Sequence, residues 1–237
     1  MENTWTFKIG PVAFDGTVLM MTFITVVIVF GLVFWASRRM QLRPSGKQNV
    51  LEWVVDFVNG VSRDFLGAKE QPRFSLLSFA LFSFLLVANS IGLVTKISIN
   101  DTSYWKSPTA NVVIDLTLAF MVVLLSNLQG VVRFGFVGYF KNSFLKPPAA
   151  LLPMNILEEF TNTLSLGLRL YGNIFAGEIM LGLIASISAS NWLLMPVSIV
   201  LNVAWIGFSL FISALQAYVF VLLTNLYMSH KVLKEVE

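Results

Sequence analysis

Residues 151–187 read LLPMNILEEFTNTLSLGLRLYGNIFAGEIMLGLIASI. The run is overwhelmingly apolar, yet it holds Glu158, Glu159, Arg169 and Glu178. A second run of similar length, 193–228, follows after a short break. At 1.5 Å per residue, roughly 36 residues of helix are ~54 Å long, well beyond a ~30 Å hydrocarbon core. The pair predicts a long hairpin that tilts strongly, protrudes, or bends at Pro196 and the glycines. Charged groups inside a span are costly unless paired or hydrated, so each marks a candidate functional site. These two stretches decide the fold class, an all-α integral membrane protein, and they hold most of its chemistry.

The rest of the chain agrees. Of 237 residues, 56% are hydrophobic and only 12% charged. Globular domains carry about 25% charged residues, so much of this surface faces lipid. Three further apolar stretches, 17–36, 74–95 and 111–129, bring the expectation to about five transmembrane helices in one membrane domain, 1–237. Residues 1–16 set Glu2 and Asp15 against Lys8. A secretory leader begins with a basic segment, so the first stretch reads as a retained anchor. Between the first two spans, residues 47–68 place Val50, Leu51, Trp53, Val54, Phe57, Val58, Val61 and Phe65 at helical spacing, opposed by Glu52, Asp56, Arg63 and Asp64. That pattern predicts an interfacial amphipathic helix, or a short helix packed on another subunit.

Five spans with an external N-terminus place the C-terminus in the cytoplasm. External segments then hold Lys8, Lys96 and Lys106. Internal segments hold Arg38, Arg39, Arg43, Lys47, Arg63, Lys69, Arg73, Arg133, Lys141, Lys146, Lys231 and Lys234. Twelve against three follows the positive-inside rule. The sequence has no zinc spacing, phosphate loop or nucleophile elbow, and no cysteine. His230, the sole histidine, sits in the polar tail and reads as solvated. Function therefore rests on the membrane residues.

At about 100° per residue, Glu158, Asn162, Ser165, Arg169, Asn173 and Ala176 fall within about 40° of one direction. Glu178, nine residues after Arg169, faces the opposite way and lies ~13.5 Å further along the axis. Two separate polar environments at different depths are expected. The last stretch carries its own stripe of Asn202, Ser209, Ser213, Gln216, Thr224 and Tyr227. Facing stripes enclose hydrated paths or act as hydrogen-bonding glue between helices.

The run from Leu164 to Glu178, with Leu215-Gln216-Ala217-Tyr218-Val219-Phe220 downstream, resembles the signatures of the bacterial F-type ATP synthase subunit a family. Pro108-Thr109-Ala110 is a weaker match. The resemblance implies a proton-translocating stator of the membrane sector, in the bacterial cell membrane. Its implied partners are a c-subunit ring, b-type peripheral stalk subunits, membrane lipid and, indirectly, the soluble F1 sector. It implies no nucleic acid, no cofactor, no metal and no catalysis by this chain. Arg169 matches the arginine that faces the ring, Asn173 and Gln216 match polar residues near it, and Glu178 matches a carboxylate lining the outer half-channel. Glu158 and Glu159 are added as candidates near the inner end of the span. Protons are favoured over sodium because no added ligand cluster is evident.

The chain departs from the family at two positions. Ser209 stands where some bacterial members have histidine, leaving outer relay to Glu178 and water. Asn111 stands where the family often has aspartate, while Asp115 lies one turn on, on the same face. The expectation is that the entrance carboxylate has moved to Asp115; the alternative is an aspartate that caps or packs a helix start. Two other readings of the whole chain stay open: a stand-alone secondary transporter, which often shows repeated halves, and a membrane scaffold.

Overall fold

The computed structural model describes residues 6–9, 12–38, 40–43, 46–94, 98–99, 102–103, 107–136, 138, 152–190 and 195–232. Five helices dominate: α1 (Gly16–Ser37), α2 (Lys47–Val94), α3 (Val112–Phe134), α4 (Leu152–Ser190) and α5 (Met195–Val232). Helices α1, α2, α3 and α5 are long and apolar enough to cross a membrane. With 39 residues, α4 exceeds the ~20 that a crossing needs. The chain is an all-α membrane protein, the fold that satisfies every backbone group inside a single segment where no water is at hand. Two small antiparallel pairings were not expected from the sequence: β1 (Thr6–Ile9) with β2 (Val12–Asp15), and β3 (Ser98–Ile99) with β4 (Thr102–Ser103). Of the positive residues used for topology, Arg39, Lys96, Lys106, Lys141, Lys146 and Lys234 lie outside the described residues.

The sequence separates an interfacial helix, 47–68, from a second span, 74–95, and here one element covers both. Its helical ladder breaks at Gly67 (φ 69°, ψ 166°) and resumes at once, with Pro72 close behind. Only glycine takes that φ without strain, and Pro72 removes a donor from the next turn. The break is bridged by side chains: Asn59 Oδ1 accepts from Gln71 Nε2 at 2.8 Å and from the Ser75 hydroxyl. A bend with its own hydrogen bonds joins the two parts.

The chain forms two compact units, residues 1–35, 83–114 and 170–217 in the first, and 36–82, 115–169 and 218–237 in the second. In the first, Asp15 caps α1 by accepting from the Val18 amide at 3.3 Å. The far part of α2 meets the residues before α3 at Gly92, where the chains approach so closely that a Cβ would lie 2.4 Å from the Ser107 Cβ. Lipid tails are as apolar as leucine, so helices associate by close packing of small residues and polar contacts. Ser198 donates to the Ile184 carbonyl at 2.8 Å and Trp205 to the Gly177 carbonyl at 3.3 Å. These contacts run α4 and α5 antiparallel there.

In the second unit, Leu66, Phe74, Met228 and Val232 form a buried cluster, with Leu77 and Leu125 against it. The apolar face of the first part of α2 is split. Val58 and Leu66 are buried, while Val50 and Trp53 remain exposed, a divided face suited to packing inward and meeting lipid at once. Phe57 stacks with Trp53 and meets Phe82 and Tyr218. Buried Glu70 is paired with Arg133 at 2.7 Å and Arg73 at 3.1 Å, fixing the end of α3 to the α2 bend.

Candidate functional site

The polar stripe of α4 lies largely open. Glu158, Ser165, Arg169 and Ala176 are exposed, and Asn162 and Asn173 are half-buried. Leu168 and Phe175, on either side, are exposed as well. Among the described residues Arg169 makes no ion pair. A guanidinium stays charged at any working pH and is poorly tolerated alone in a span. Tyr227 on α5, a member of the other stripe, lies within electrostatic reach of Arg169, Glu158 and Glu159.

Most of the α5 stripe is turned inward. Ser209, Ser213, Gln216 and Thr224 are buried, and Asn202 and Tyr227 half-buried. The stripe divides along its length into two uses. Toward the C-terminus the Thr224 hydroxyl turns back to the Phe220 carbonyl of its own helix at 2.8 Å, while neighbouring Asn225, off the stripe, accepts from Ser78 of α2 at 3.1 Å. Earlier on the helix, Asn202 Oδ1, Ser213 Oγ and Gln216 Nε2 are buried without a hydrogen-bond partner among the described residues. Buried polar atoms left in that state are costly unless water reaches them.

A cavity of about 190 Å³ in the first unit is lined by one of them, Ser213. Asn173 and Gly177 of α4 line it together with Trp205, Ser209 and Ser213 of α5. It has room for several waters. The structure thus brings Asn173 and Ser209 of the sequence candidates into one water-sized space. Trp205, which the sequence reading passed over, forms part of its wall, because tryptophan inside an apolar run carries no polar signal by itself. Glu178 is half-buried on α4, nine residues after Arg169 and on the opposite side of the helix.

Glu159 has a different setting. It pairs with Lys231 and accepts a long 3.5 Å contact from Asn127 Nδ2, tying α3, α4 and α5 together. Asp115 is fully buried near the start of α3, and Gly167 of α4 packs against its backbone, where a Cβ would lie 3.1 Å from the Asp115 carbonyl oxygen. Helix capping falls to Asn111, whose Oδ1 accepts from the Val113 amide at 2.9 Å. A polar cluster unseen in the sequence lies just before α3. The Ser107 hydroxyl donates to the Ala88 carbonyl at 2.8 Å, the Thr109 hydroxyl donates to Asn89 Oδ1 at 2.7 Å, and the two hydroxyl oxygens are 2.7 Å apart.

Comparison with known proteins gives a consistent result. Residues 19–229 match the family described as ATP synthase A chain. The ATP synthase subunit a of Enterococcus hirae is 54% identical over 233 residues, covering 98% of each chain. That of Enterococcus faecalis is 52% identical with the same coverage. That of Streptococcus pneumoniae is 50% identical over 226 residues, 95% of this chain and 94% of the relative.

Proposed function

The chain belongs to the ATP synthase A chain family, and from that premise we propose that it is the proton-translocating stator subunit of a rotary F-type ATP synthase. It forms two aqueous half-channels against a c-subunit ring, is held by b-type peripheral stalk subunits, and acts on the soluble F1 sector only through rotation. It is not itself the catalyst. Its N-terminus lies outside and its C-terminus in the cytoplasm of a bacterial cell membrane, in keeping with twelve internal lysines and arginines against three external.

The observation that carries this reading is Arg169, exposed on a polar stripe with no ion-pair partner among the described residues of its own chain. A fixed positive charge there attracts a carboxylate of the passing ring and favours release of its proton. The same charge repels protons that would otherwise leak between the half-channels. The cavity at Asn173, Ser209 and Ser213 supports a water-filled outer half-channel, to which Glu178, further along α4, contributes the carboxylate. Gln216, with its unpartnered Nε2, hydrates the same path. Glu158, exposed on the Arg169 stripe, marks the inner half-channel, with Glu159 behind it as an anchor to Lys231. Each proton crossing contributes ~2.3 kcal/mol per 100 mV, so several are needed for each ATP.

The test is ATP-driven proton pumping by the assembled complex in vesicles, wild type against Arg169→Ala, with and without sodium. Pumping is abolished in the variant and is independent of sodium in the wild type. Pumping that survives the loss of Arg169 would sink the proposal.

A further inference from the structure

Two acidic side chains are buried among the described residues, Glu70 and Asp115. They differ in company. Glu70 is flanked by Arg73 and Arg133. Asp115, at 0% exposure, has no hydrogen-bond partner among the described residues on either carboxyl oxygen. A carboxyl group buried without a partner is costly, so its presence needs a reason. Stability alone gives no reason for an acid here, because the capping role at this helix start belongs to Asn111 and any small apolar side chain would pack at lower cost.

The position of this acid is specific. Helix α3 presses on α4 at Gly167, where a Cβ would lie 3.0 Å from the Leu116 Cα and 3.1 Å from the Asp115 carbonyl oxygen. Gly167 is two residues before Arg169 on the same helix. No charged group of α3 or α4 stands within ion-pair distance of Asp115 among the described residues; the nearest along α4 is Arg169, and along α3 it is Arg133.

We propose that Asp115 is a proton-carrying acid of the translocation path, sited at the close crossing of α3 and α4. The step is a plain proton transfer: an O–H bond forms on the carboxyl as one breaks on a hydronium, leaving water, and the reverse returns the proton. The glycine at 167 lets the backbone of α3 come this close to α4, so the acid is held at a fixed distance from the Arg169 segment. The inference rests on the stator reading and adds to it a residue on a third helix.

The experiment uses the assembled complex in vesicles and compares Asp115→Asn, Asp115→Glu and Arg169→Ala with wild type. Asn is nearly isosteric with the protonated acid, so assembly and ATP hydrolysis by the soluble sector persist. Removing a positioned proton carrier lowers pumping roughly a hundredfold, and Asp115→Glu restores part of it. Wild-type infrared difference spectra show a protonated-carboxyl C=O band that Asp115→Asn lacks and that changes when pumping is started, a response that an acid serving only to pack would not give. Pumping near the wild-type rate in Asp115→Asn, with Arg169→Ala inactive, overturns this inference alone. Activity in Arg169→Ala overturns the stator reading beneath it. Should Asp115→Asn fail to assemble, the band is sought by comparing wild type with Asp115→Glu, and a spectrum unchanged by that substitution also overturns the proposal.

Discussion

Replacing Gly92 by alanine puts a Cβ 2.4 Å from the Ser107 Cβ, 2.9 Å from its amide nitrogen and 3.0 Å from its Cα. Carbon atoms in comfortable contact stand about 3.5–4.0 Å apart, so the segment before α3 must retreat by about 1 Å. Two of the three atoms are backbone, and no rotamer change relieves them. Ser107 is fully buried, and its hydroxyl reaches the Ala88 carbonyl at 2.8 Å on the same stretch of α2 that would push it away. A retreat of about 1 Å takes that bond out of range and disturbs the link from Thr109 to Asn89. Overpacking of this kind costs about 1–3 kcal/mol and each lost hydrogen bond about 1 kcal/mol more. The expected sum is about 2–5 kcal/mol, measured by thermal unfolding of the detergent-solubilised complex and by its yield in membranes. Ser107→Gly removes the nearest clashing atom. In the Gly92→Ala background it costs less than on its own, a coupling that a double-mutant cycle reads directly. Stability within about 0.5 kcal/mol of wild type, or strictly additive losses, would refute the close contact between α2 and the start of α3.

Gly67→Ala meets no atom within 4 Å, so its penalty is conformational: φ +69° costs a side chain about 1–2 kcal/mol, seen as a lowered unfolding temperature without loss of specific pumping. The hydrogen bond and charge of Arg133, with Arg73 adding to them, hold the Glu70 carboxyl below its ordinary value of 4.5. Its folded value is depressed, so its stabilisation is complete above that value and is lost as pH falls through the lower folded one. Glu70→Gln therefore destabilises the complex at neutral pH, and the gap from wild type closes on acidification; a gap that stays constant down to strongly acid pH contradicts the pairing. Ser209→Ala keeps the cavity open and leaves pumping within about threefold of wild type, whereas Ser209→Leu fills a space of about 190 Å³ in part and cuts pumping by about tenfold or more. Equal rates for the two variants would mean that water does not pass there.

Residue pattern alone made much of this protein legible. Apolar runs of about twenty residues or more pointed to an all-α membrane fold, since a run of that length satisfies its own backbone in lipid as a helix, whereas the strands of a closed barrel are about ten residues long. The 3.6-residue period put Arg169 on one stripe and Glu178 on the opposite side of the same helix, because both relations depend only on positions within one segment. Local patterns failed where distant segments meet. Between the surface helix and the second span, a single glycine at 67 makes the bend, and Gln71 and Ser75 reach back across it to Asn59, contacts that periodicity does not show. Glu159 and Asp115 look alike in the sequence, each an acid in an apolar run. Only tertiary structure separates them, giving Glu159 the lysine of another helix and leaving Asp115 buried without a partner. The same holds for the α5 stripe, whose hydroxyls share one spacing but divide between a bond inside their own helix and a cavity wall. Periodicity fixes the direction a side chain takes from its own helix axis, whereas what it meets there depends on the packing of other helices, which the order of residues along one segment does not record.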